Sequence, residues 1–149
     1  MIIQAFFEGI IAALGALVLE LSVLAIFNLN SAESSLITLF ICVILEEIMK
    51  YAIIYNHYLK SKYREKIIYS AIFIGLGFSA MELFLKQLDY QKTITLPILG
   101  IFLIHIITSS IVGFFLWKKC NQTTITATIL IILNALIHFF YNFIILNYS

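Results

Sequence analysis

Charge is scarce in this chain: 11% of its 149 residues are charged, against about 25% in a soluble domain. With 62% hydrophobic residues and a mean hydropathy of +1.05, water cannot be its main solvent. One proline and six glycines provide neither a disordered tail nor a linker, so residues 1–149 read as a single domain. A net charge of +1 offers no surface for nucleic acid, and no partner of that kind is expected. Repeats and low-complexity tracts are absent, and so is the HExxH zinc signature.

Long apolar runs are what the chain has instead. A helix rising about 1.5 Å per residue needs roughly 20 apolar residues to cross about 30 Å of hydrocarbon. Five stretches qualify: Ile2–Phe27, Leu36–Leu59, Ile67–Leu85, Pro97–Trp117 and Thr124–Leu146. None alternates as a membrane strand does, so the expected fold is all-α, a polytopic bundle of about five spans. The first run has no basic n-region and contains Glu8 and Glu20, so it is expected to remain as a span and not to be removed as a signal peptide. The breaks after the second and fourth runs hold Lys60, Lys62, Arg64, Lys66, Lys118 and Lys119, while the opposite side holds Lys86 and Lys92. Six against two places the N-terminus in the cytoplasm and the C-terminus outside. Cys42 and Cys120 then lie too far apart for a disulfide or a shared metal.

Polar residues inside these runs need an explanation, because a charge at mid-bilayer costs about 2.5–3.5 kcal/mol on insertion scales. The second run contains Glu46, Glu47 and Lys50. Glu46 and Lys50 are four apart and share a face, while Glu47 points about 100° away, so one carboxylate can pair with the lysine and leave the other available. The third run puts Phe78 and Glu82 on one face, beside a small-residue stripe of Ala71, Gly75 and Ser79 suited to close helix approach. The fourth has His105, Ser109 and Gly113, and the fifth has Asn134, His138 and Asn142 on one face. Taken singly, each has a bland reading: a buried ion pair, an interfacial glutamate beside Lys86, an interhelical hydrogen bond. His57 reads as interfacial, and Glu8 and Glu20 have no companion pattern. Depth argues for one site, since Glu46 and Glu47 fall roughly 15 Å, and His105 and His138 roughly 12 Å, below the outer boundary.

The ordered set Glu46-Glu47-Ile-Met-Lys50, Phe78-Ser-Ala-Met-Glu82, His105 and His138-Phe-Phe-Tyr-Asn142 resembles the EExxK, FxxxE, H and HxxxN series of the PrsW-type intramembrane proteases. Related CAAX prenyl proteases tend to show EExxxR and FxxxH; here Tyr51 and Glu82 stand at those positions. The resemblance runs from about Glu46 to Asn142 and implies an intramembrane endopeptidase of a prokaryotic cell membrane, acting on a membrane-anchored protein such as an anti-sigma factor or a prenyl protein.

Peptide hydrolysis needs an activated water, an oxyanion stabiliser and a proton donor for the leaving amine. Glu46 is the expected base, with Glu47 the alternative. His105 and Glu82 would position the water, and His138 and Asn142 would polarise the carbonyl. Lys50, Phe78 and Ser109 are supporting residues. His105, His138 and Glu82 would also suit zinc with one position open for water, and a metal-free glutamate mechanism suits the same residues. Two other classes stay open: a non-catalytic scaffold or bacteriocin-immunity protein, and an ion or proton transporter. The last is disfavoured by the largely apolar inner halves of the third and fifth runs.

Overall fold

In the computed structural model, residues 2–27, 35–61, 64–89, 96–118 and 123–148 are described. Cys120, Lys62, Lys92 and Lys119 lie outside them. Five α-helices occupy the described residues: α1 (Ile2–Phe27), α2 (Ser35–Lys60), α3 (Ile67–Asp89), α4 (Leu96–Trp117) and α5 (Thr124–Tyr148), with a 3-10 turn at Arg64–Lys66 before α3. Helix is the expected state because a backbone in hydrocarbon must satisfy its own N–H and C=O groups. Pro97 sits in the first turn of α4, where a missing N–H costs nothing. Thr123 caps α5, accepting from the Thr126 N–H at 3.2 Å.

Helices α1, α3, α4 and α5 are long and apolar enough to cross a membrane by themselves. The remaining helix, α2, is as long as α1, with 26 residues, but carries Glu46, Glu47 and Lys50. Neighbouring helices run in the order α1, α3, α4, α5, α2 around the bundle, and α2 also touches α3 and α4 across it. The most charged helix therefore has protein on most sides. Its buried residues Val43, Glu47, Lys50, Ile54 and His57 recur at alternating spacings of four and three, one stripe turned inward.

Small residues set the helix spacing. A Cβ on Gly9 would lie 2.1 Å from the Ile74 carbonyl oxygen, and one on Gly77 would lie 2.0 Å from that of Phe6. With Ala5, Ala12, Ala13 and Ala16 buried beside them, these glycines let α1 and α3 meet backbone to backbone. Ala71 and Gly75 of the small-residue stripe meet α4 in the same way, while Ser79 bonds back to the Gly75 carbonyl. Gly113 lies on the Ala71 Cβ, and a Cβ on Gly75 would come within 2.6 Å of the His105 carbonyl oxygen. Ile54, Ile67, Ala71, Ile74, Val112, Leu116 and Leu130 form an apolar cluster between the C-terminal half of α2, the N-terminal half of α3, the C-terminal end of α4 and the N-terminal half of α5.

Candidate active site

Lys50 is completely buried and directs its three ammonium hydrogens at three acceptors: Glu47 Oε1 at 2.6 Å, Thr108 Oγ1 at 2.8 Å and His105 Nδ1 at 3.0 Å. An ammonium only donates, so Nδ1 of His105 must accept. Its Nε2 then carries the ring hydrogen and donates to Glu82 Oε2. Glu82 is also paired with Lys86 at 2.5 Å through its other oxygen. The Phe78 ring lies 4.7 Å from the His105 ring, with the Lys50 ammonium 5.3 Å from the Phe78 centroid. The FxxxE spacing thereby gains a physical meaning: one face of α3 covers the imidazole with Phe78 and holds its Nε2 with Glu82 one turn later.

His138, from α5, stands edge-on to His105, ring centroids 4.8 Å apart. Its Nδ1 donates to Glu47 Oε1 at 2.9 Å, which leaves the Nε2 lone pair unused by that bond. Glu47 thus holds both Lys50 and His138 through one oxygen. Spacing put Glu46 beside Lys50, but the lysine pairs with Glu47 instead, three residues away. The reason is the inward stripe of α2, which contains Glu47 and Lys50 but only flanks Glu46. The Glu46 side chain keeps 14% of its exposure against 1% for Glu47. Its Oε2 is buried, lies 3.5 Å from His138 Nδ1 and has no hydrogen-bond partner among the described residues.

The structure thus brings together Glu46, Glu47, Lys50, Phe78, Glu82, His105 and His138. Ser109 is buried one turn after His105, its Oγ without a hydrogen-bond partner among the described residues. Asn142 is half-buried and forms no hydrogen bond with this cluster among the described residues. Two residues to which the sequence assigned no role belong to the network. Thr108 accepts from Lys50, and Asn134 donates from Nδ2 to the Thr108 carbonyl at 3.1 Å. A threonine in an apolar helix reads as neutral because it can bond its own backbone, so only the position of Lys50 reveals it. His57, expected at the interface, is buried against α1, where its Nδ1 meets Glu8 Oε2 at 2.6 Å.

The whole chain, residues 1–149, matches the family described as PrsW family intramembrane metalloprotease. The chain belongs to that family. No curated protein and no solved structure matches it. The PrsW assignment makes it an integral membrane protein and an intramembrane protease. The description as metalloprotease can be tested against the donors present. Glu46, His105 and His138 each offer a ligand atom within 4.8 Å of the other two. The orphaned Glu46 Oε2 and a His138 held at Nδ1 by a carboxylate fit a metal site. His105 has both ring nitrogens engaged, so a metal would take the place of one of its contacts. The sequence expected Glu82 as the third donor; this geometry groups Glu46 with the histidines and leaves Glu82 on His105 and Lys86.

Proposed function

We propose that this PrsW-family protease cleaves a membrane-anchored protein, an anti-sigma-factor-like or prenyl-protein-like substrate, with Glu46 taking the proton from the attacking water. The observation that carries this reading is the difference among the three carboxylates. Glu47 is committed to Lys50 and His138, and Glu82 to Lys86 and His105, while Glu46 has a buried oxygen without a hydrogen-bond donor among the described residues. A carboxylate in dry surroundings and without a hydrogen-bond donor is the better base. His138 borders the same space and can accept from the attacking water at Nε2, His105 lies beside it between Lys50 and Glu82, and the half-buried Asn142 lies one turn beyond His138 to donate to the substrate carbonyl. Lys50 keeps Glu47 ionised and in place, so that a mid-membrane site can hold two adjacent glutamates.

Zinc suits the Glu46, His105 and His138 donor set, with Glu82 next to His105 as the alternative carboxylate. When bound, it supplies Lewis acidity toward the carbonyl and eases ionisation of the water. On the proposed orientation, with the N-terminus cytoplasmic and the C-terminus outside, the cut falls near the outer side of the membrane. Purified full-length protein and a single-span reporter of known orientation test the proposal. Wild type is expected to cut the reporter, and Glu46→Gln, nearly isosteric, to be inactive but folded. Zinc content of the Glu46→Gln protein separates its two possible roles: retained metal marks a base, lost metal a ligand. Undiminished cleavage by Glu46→Gln would overturn the assignment.

A further inference from the structure

We propose that Thr108 is a positioning residue of the protease, holding the Lys50 ammonium so that His105, while no metal occupies its ring, is locked in the tautomer with hydrogen on Nε2. Three observations converge on it. An ammonium has three hydrogens, and those of Lys50 are shared among Glu47, His105 and Thr108 at 2.6, 3.0 and 2.8 Å. With two directions taken by Thr108 and Glu47, the third is aimed at His105 Nδ1 by tetrahedral geometry. Thr108 is itself held: it follows His105 by three residues on α4, its hydroxyl is 3.5 Å from the His105 carbonyl oxygen, and Asn134 of α5 donates to its backbone carbonyl at 3.1 Å. It is completely buried, so water cannot replace the hydroxyl as acceptor at low cost.

The consequence reaches the reacting groups through two hydrogen bonds. A lysine that donates to Nδ1 excludes a hydrogen there, and Nε2 must then donate to Glu82. Without the hydroxyl, the ammonium loses one anchor and swings, the imidazole can exchange tautomers, and Glu82 keeps Lys86 but loses the imidazole as a donor. The Thr108 hydroxyl ties α4 to Lys50 of α2, and its backbone carbonyl takes the Asn134 amide of α5 at the level of the site.

The chain has three histidines, so the ring nitrogens of His105 can be assigned in histidine-labelled full-length protein by comparison with His57 and His138 variants. Nitrogen NMR in micelles, after chelator treatment so that no metal competes for the ring, is expected to show Nε2 protonated and Nδ1 bare in wild type. Thr108→Val keeps the shape and removes the hydroxyl; it should give a mixture of tautomers. Thr108→Ser keeps the hydroxyl and loses a methyl; it should look like wild type. A residue that only packs predicts the reverse order, with Val tolerated better than Ser. Cleavage of a dye-labelled single-span reporter should follow the spectra, kcat falling between about tenfold and a hundredfold in Thr108→Val with KM little changed. Thr108→Ala, which also lacks the hydroxyl, replaces the valine variant if the latter does not fold. Hydrogen on Nδ1 in wild type, an unchanged tautomer in Thr108→Val, or a serine variant as disturbed as valine would each overturn the proposal. None of these spectra depends on which carboxylate is the base, so the proposal can fail without Glu46 failing.

Discussion

Lys50 and Lys86 are both lysines one turn from a glutamate, yet their surroundings differ. Lys50 is fully buried and holds Glu47, His105 and Thr108, whereas Lys86 is 47% exposed and pairs with Glu82. Removing one partner of a buried pair leaves an uncompensated charge and costs about 3–5 kcal/mol, while an exposed pair contributes about 0–1 kcal/mol. Lys50→Met should therefore lower thermal stability in detergent far more than Lys86→Met. Equal shifts in the two melting temperatures would mean that Lys50 reaches solvent. The same contrast explains why Glu47, with its oxygen shared between a lysine and a histidine, is a poor base despite its depth.

At the scale of helices, the glycines divide into those that hold the bundle and those that place the site. Gly9 and Gly77 join α1 to α3, while Gly75 lets α4 approach α3 at the His105 backbone. Alanine gains about 1 kcal/mol of helix propensity over glycine, but overpacking against backbone costs about 1–3 kcal/mol. Both Gly9→Ala and Gly75→Ala should thus be destabilising by thermal denaturation. They should differ in cleavage: per folded molecule, Gly75→Ala is expected to lose at least about tenfold, because α4 carries His105 and Thr108 and must move, and Gly9→Ala to keep most of its turnover. Cleavage retained by Gly75→Ala would show that the α3–α4 distance does not control the site.

The whole molecule has a wet end and a dry end. Glu46, Glu82 and Lys86 keep partial exposure toward the N-terminal end of α2 and the C-terminal end of α3, and the apolar cluster around Ile54, Ile74 and Val112 closes the opposite half beyond Lys50. That layout disfavours a continuous ion path and gives water a shorter route to Glu46 from the side of the α2 N-terminus. On the proposed orientation this side is outside. Mapping the bond cut in the single-span reporter should place it near the outer boundary; a cut at the cytoplasmic end would reverse the orientation drawn from the lysine-rich breaks.

The all-helical membrane fold and the family were legible in the sequence, because apolar length and the order of four motifs are properties of the chain alone. Helical periodicity likewise put Phe78 with Glu82 and made Gly75 part of a packing stripe. It could not choose between Glu46 and Glu47 as the partner of Lys50, since spacings of three and four are both close on a helix and the choice depends on which stripe of α2 faces α3, α4 and α5. Nor could it find Thr108 or the Glu8–His57 pair, whose meaning lies in contacts 58 and 49 residues apart in the chain. Residues of one helix share a face by geometry that sequence contains. Residues of different helices meet at a depth and rotation set by how the small residues of α1, α3 and α4 let the backbones close, and only tertiary structure decides that.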